Sequence, residues 1–164
     1  DAGLIFAFET DHGRNLVRTL ADTLRLLEEV NLEAMKINYD PANFYVGGNS
    51  PQEVLDALYD RVVHGHIKDA VCPEGEPARE VQVGQGDLDY VEILSDLEKR
   101  NYQGAMVIEH RKTFEDFANA YNFARNTWCD MVIDPLETRD VMALLLDLAG
   151  RLPQQETDFG VFRM

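Results

Sequence analysis

Four short apolar runs frame this chain: LIFAF, AMKINY, VVHGHI and AMVI. Each is rich in β-branched or aromatic residues and reads as a buried strand. Stretches with helical periodicity lie between them. A strand that rejoins its sheet through a helix rejoins it parallel, so the four strands point the same way. The strands are expected at Leu4–Glu9, Ala34–Asp40, Val62–Ala70 and Ala105–Glu109. Such alternation predicts an α/β fold with a parallel sheet covered by helices. Period alone does not separate an open, doubly wound sheet from a barrel.

The helical stretches carry their own start signals. The first runs from about Asn15 to Val30, with Leu16, Leu20, Leu24 and Leu27 on one face. Ser50-Pro51-Gln52-Glu53 reads as a capping box with proline at the first helical position, ahead of the buried stripe Val54, Leu55 and Leu58. Asp89 and Glu92 open a helix to about Arg100, after the polar loop CPEGEPARE and the turn VGQGD. Thr113 and Asp116 open a fourth, with Phe114, Phe117, Tyr121, Ala124 and Trp128 as its apolar residues. A further helix is expected from Asp134 to Gly150, and residues 153–164 as a loose tail.

At 164 residues, one domain is expected. The net charge is −15 and no basic stripe is visible, which argues against a nucleic-acid partner. No apolar run reaches the roughly 18 residues that span a bilayer. Cys72 and Cys129 are far apart and lack metal-ligand spacing, as expected of reduced thiols in a cytoplasmic protein. The chain begins without Met and enters a strand almost at once, as expected of a trimmed or incomplete chain.

A polar residue ends each apolar run or stands near its end: Glu9, Asp40, His66 and Glu109. Parallel strands bring those ends to one rim. Three carboxylates and an imidazole there suit one divalent ion, Mn²⁺, Mg²⁺, Co²⁺ or Zn²⁺, with a position open for substrate. A lone carboxylate at a strand end is often only the first solvated residue; four such residues at equivalent places favour a site. His64 shares a strand face with His66 and reads as a structural histidine. Gly84 and Gly86 in VGQGD lack the third glycine of a dinucleotide fingerprint and read as turn residues.

The strand ending in Glu9, the segment YDPAN with Asp40, HIKD with His66 followed by VGQGDLDY, and NYQGAMVIEH with Glu109 together resemble the xylose isomerase-like barrels. That superfamily includes sugar and sugar-phosphate isomerases and epimerases, inosose dehydratases and type IV apurinic endonucleases. The resemblance covers Leu4 to about Trp128 and implies strands five to eight of a TIM barrel, plus a C-terminal helix, over residues 1–152. A whole barrel takes about 250 residues, so the chain is expected to be a half barrel or a fragment. Its missing half would be supplied upstream or by a second copy.

The resemblance implies that Glu9, Asp40, His66 and Glu109 hold the metal. It also implies that Glu9 and Glu109 take and return the proton beside a substrate carbonyl, passing through an enediolate. His12, Asn43, Lys68 and Arg79 are the expected substrate contacts. The family often has a histidine where this chain has Asn43, which can hydrogen-bond a sugar hydroxyl but cannot relay a proton. The expected function is a metal-dependent isomerase or epimerase of a sugar or sugar phosphate. The alternatives are an inosose-type dehydratase and a non-catalytic half barrel. An apurinic endonuclease is disfavoured by the acidic charge and by Asn43.

Overall fold

The computed structural model describes residues 4–11, 15–109, 114–129 and 161–163. In chain order the elements are β1 (Phe6–Phe8), α1 (Leu20–Val30), β2 (Met35–Tyr39), α2 (Pro41–Val46), α3 (Pro51–Leu58) and a short 3-10 turn (Tyr59–Arg61). They continue with β3 (Val62–Ile67), β4 (Asp69–Val71), β5 (Arg79–Val81), α4 (Tyr90–Lys99), β6 (Ala105–Ile108), α5 (Phe114–Cys129) and β7 (Val161–Arg163). The main sheet has the order β1-β2-β3-β6-β7. Its first four strands run parallel, as the alternation of elements predicts. Strand β7 pairs antiparallel along the outer edge of β6.

The core lies between the sheet and its helices. Ile37, Tyr39, Ile67, Met106 and Ile108 from the strands pack with Phe44, Val54, Leu55, Leu58, Ile93, Leu94 and Leu97 from the helices. All are nearly free of solvent, so each contributes up to about 1.5–3 kcal/mol of apolar burial. At the other edge of the sheet, Leu4, Ile5 and Phe6 are exposed, and β1 has no outer neighbour among the described residues.

Several expectations are corrected. Helix α1 begins at Leu20, five residues later than predicted. Thr19 and Asp22 form a capping box there, with the Thr19 hydroxyl accepting from Asp22 N–H and the Asp22 carboxylate accepting from Thr19 N–H. Leu16, expected on the buried stripe, is outside the helix and 95% exposed, and Leu24 is also exposed. The third strand stops at Ile67. The chain then leaves the main sheet, and Asp69 and Ala70, expected to continue the third strand, stand in β4, which pairs antiparallel with β5 from the expected loop in a small hairpin. Helix α2 was missed, although Asp40-Pro41 carries the signal: an N-cap carboxylate followed by proline at the first helical position. Tyr121 and Ala124 of α5 are buried as expected. The helix expected at 134–150 lies outside the described residues. So does the expected tail, apart from Val161–Arg163, which stand in β7 rather than loose.

Candidate metal centre

Each of the four parallel strands delivers one polar side chain to a common point. Glu9 follows β1, Asp40 follows β2, His66 lies near the end of β3 and Glu109 follows β6. One ligand atom from each can be chosen so that all four lie within 4.8 Å of one another. The residues predicted from spacing along the chain are thus brought together.

His66 is the hub. Its Nδ1 stands 3.1 Å from Glu9 Oε1, 3.3 Å from Glu109 Oε2 and 3.8 Å from Asp40 Oδ2. Its Nε2 lies 3.2 Å from Asn38 Nδ2, which also donates to Glu9 Oε2 at 3.1 Å. Burial pulls the imidazole pKa down, but the carboxylates of Asp40, Glu109 and Glu9 outweigh it and raise it to about 11. Glu109 is held well below the usual carboxylate range, chiefly by its contact with His66, then by the charge of Lys68 against the opposing effect of burial.

Asp40 does two jobs with its two oxygens. Oδ1 accepts from Ala42 N–H and Asn43 N–H, capping α2. Oδ2 is buried and accepts no hydrogen bond, although Lys68 Nζ stands 3.2 Å away, close enough for charge attraction but off a bonding direction. The ammonium balances that oxygen's charge but leaves its lone pairs without a hydrogen bond, open to a metal ion. Three carboxylates and one imidazole with a buried, unbonded oxygen fit a divalent ion.

Lys68 enters the same cluster. Its side chain is 6% exposed, and Nζ donates to Glu109 Oε2 at 3.0 Å. Burial lowers its pKa, but Asp40 and Glu109 push it up to about 12. Asn43 is buried, and its amide nitrogen donates to Glu9 Oε1 at 3.1 Å and to Thr10 C=O at 2.8 Å. One amide hydrogen bond thus holds Glu9 and the other the main chain of Thr10. Arg79 begins β5 with an exposed side chain. His12 lies outside the described residues. His64 stands beside His66, its ring edge-on at 5.6 Å, and burial lowers its pKa.

Sequence reasoning missed three contributors. Asn38 bridges Glu9 and His66; its place two residues before Asp40, on the same strand face, was the available signal. Asp69 is buried, and its carboxylate accepts from Ala70, Gly84, Gly86 and Leu88 N–H. Burial nonetheless raises its pKa. Here HIKD and VGQGD prove to be one device. Gly84 takes φ +85°, and a Cβ on Gly86 would collide with the Asp69 carboxylate. Tyr90 is the third. Its buried hydroxyl accepts from Lys68 N–H at 2.8 Å and donates to Lys68 C=O at 2.5 Å.

The profile of the xylose isomerase-like TIM barrel matches residues 1–127. The chain belongs to that family. It is 26% identical over 128 residues to an inosose dehydratase of Geobacillus kaustophilus, covering 70% of this chain and 41% of the relative. It is 33% identical over 108 residues to the 3-dehydro-D-guloside 4-epimerase of Escherichia coli, covering 65% and 38%. A shorter match, 41% identical over 54 residues, covers 33% of the chain and 10% of the beta1 subunit of a biotin-dependent 3-methylcrotonyl-coenzyme A carboxylase of Mycobacterium tuberculosis. Among solved structures, a xylose isomerase domain protein from Planctomyces limnophilus superposes with a TM-score of 0.64 at 28% identity, covering 77% of this chain and 46% of that one. The chain thus spans less than half the length of each of these relatives. No helix among the described residues is long and apolar enough to cross a membrane.

Proposed function

We propose that this chain carries the metal centre of an isomerase or epimerase acting on a sugar or sugar phosphate by proton transfer. The observation that supports this reading is the convergence of Glu9, Asp40, His66 and Glu109 within 4.8 Å. The names of its relatives, which include a keto-glycoside epimerase and inosose dehydratases, point to the same kind of substrate. A divalent ion held by those four residues, with Mn²⁺ the first choice, supplies Lewis acidity to a substrate oxygen.

The remaining work belongs to the chain's own groups. Glu9 and Glu109 stand on different strands with His66 between them, so a substrate carbon seated over the cluster has a carboxylate on either side. One takes the proton beside the carbonyl and the other returns it. Glu9 is oriented for this by Asn38 and Asn43, Glu109 by Lys68. Lys68 supplies positive charge where the enediolate oxygen develops. Arg79 and His12 are assigned to the outer parts of the substrate. A dehydratase would use the same centre to expel water.

The test is turnover of ketoses and keto-inositols in D₂O by the Mn²⁺-loaded protein. An isomerase or epimerase places deuterium beside the carbonyl, and Glu9→Gln and Glu109→Gln each abolish it. Full turnover in both variants would end the acid–base assignment. Loss of water from a keto-inositol without isomerised ketose would select the dehydratase. A metal-free chain without turnover would select the non-catalytic half barrel.

A further inference from the structure

We propose that Lys68 is a resident cation of the centre, its ammonium standing where a second metal ion would sit, so that the site takes up one divalent ion and not two. This rests on the metal reading above and adds to it a statement about stoichiometry.

The first observation is where the ammonium lies. Nζ is 3.0 Å from Glu109 Oε2 and 3.2 Å from Asp40 Oδ2, so it bridges two of the carboxylates. Paired metal sites are commonly built around bridging carboxylates, with a second cation between them. Here that position already holds a positive charge. The side chain is almost wholly buried, so water does little to screen it.

The second observation is how the lysine is fixed. Lysine normally carries its head to water on a flexible stem. At Lys68 the main chain is held on both sides. The Tyr90 hydroxyl binds the N–H and the C=O of this one residue. The next residue, Asp69, is tied by four main-chain amides. With the backbone held, the side chain is aimed at the strand ends, beside His66 on the same strand face.

The third observation is charge. Glu9, Asp40 and Glu109 bring three carboxylates to the cluster. One divalent ion with neutral His66 would leave a net negative charge that invites a second ion. One divalent ion and the Lys68 ammonium leave none. Tyr90 acts only through Lys68 and is therefore a positioning residue.

The experiment is Mn²⁺ titration of the protein by calorimetry and electron paramagnetic resonance, with no substrate present. The wild type should bind one Mn²⁺ per chain. Lys68→Met should bind its first Mn²⁺ at least about tenfold tighter, since a like charge a few ångströms away has gone. It should also take up a second ion, seen as a spectrum broadened by coupling between neighbouring Mn²⁺ ions. Lys68→Arg should restore one ion at near wild-type affinity. Tyr90→Phe should shift the affinity in the direction of Lys68→Met by a smaller factor, and should add nothing in the Lys68→Met background.

Should Lys68→Met fail to fold, Lys68→Gln carries the same expectation. A methionine variant that binds one Mn²⁺ at wild-type affinity overturns the proposal and leaves the metal reading intact. A wild type that binds no Mn²⁺ overturns both.

Discussion

Two aspartates lie buried near the ends of neighbouring strands, and they are built in opposite ways. Asp69, at the start of the β4–β5 hairpin, has a main-chain amide for every hydrogen bond its carboxylate needs. Asp40, at the rim of the main sheet, uses one oxygen to cap α2 and leaves the other without a hydrogen bond. Full satisfaction marks a carboxylate that holds a loop together. A buried oxygen facing an imidazole and an ammonium marks one kept for a cation. Burial alone does not separate the two, since both residues are almost completely enclosed.

Replacing each aspartate by asparagine should break the comparison most sharply. Asp40→Asn should weaken Mn²⁺ binding by at least about a hundredfold, because loss of even an outer partner of a ligand costs about 10–100-fold. The cap of α2 should survive, since asparagine is also a good N-cap. Asp69→Asn should show the reverse. It turns one acceptor oxygen into a donor facing main-chain N–H groups, and should cost about 3 kcal/mol of stability by urea denaturation. The folded fraction should keep Mn²⁺ affinity to within a small factor. Equal loss of metal binding in both variants would erase the distinction.

The proton on His66 sharpens the account further. Its folded-state pKa, about 11, lies above the 6.5 of a free imidazole, so without metal the ring stays protonated through neutral pH. The stabilisation from that charged ring is fully present below pH 6.5 and is lost as pH rises through 11. A metal ion at Nδ1 must displace this proton. Binding should therefore release about one proton per ion at pH 8, and affinity should rise about tenfold per pH unit between 7 and 10. Calorimetry in two buffers of different ionisation enthalpy measures the release directly. Glu109 has the opposite sign: its depressed pKa gives stability that is present above the ordinary glutamate range and lost as pH falls.

The smallest effect is expected far from the rim. Thr19→Ala removes the hydroxyl that caps α1 and should cost about 1 kcal/mol in chemical denaturation, with Mn²⁺ affinity unchanged.

The parts of the fold that repeat along the chain were legible in the sequence. Apolar runs set four parallel strands, and the polar residues at or near their ends set the four candidate ligands. What was not legible came from contacts distant in sequence or from competing local signals. The leucine stripe extended α1 back to Leu16, but the capping box at Thr19 starts the helix later and leaves Leu16 in water. The apolar character of residues 62–70 hid the break at Lys68, where Tyr90 takes both main-chain groups and Asp69 turns the chain into a hairpin. Asn43 was expected as a substrate contact, and its hold on Glu9, 34 positions away, could not be read beside it. No periodicity encodes such pairings. They become visible only when the carboxylates of the rim are asked what each oxygen touches.

The most direct test is anomalous X-ray diffraction from crystals of the protein soaked in Zn²⁺ or Mn²⁺. The account predicts one strong peak per chain, about 2.0–2.3 Å from a carboxylate oxygen of Glu9, Asp40 and Glu109 and from His66 Nδ1. A rim without a peak, or a peak that leaves Asp40 Oδ2 unligated, would contradict it.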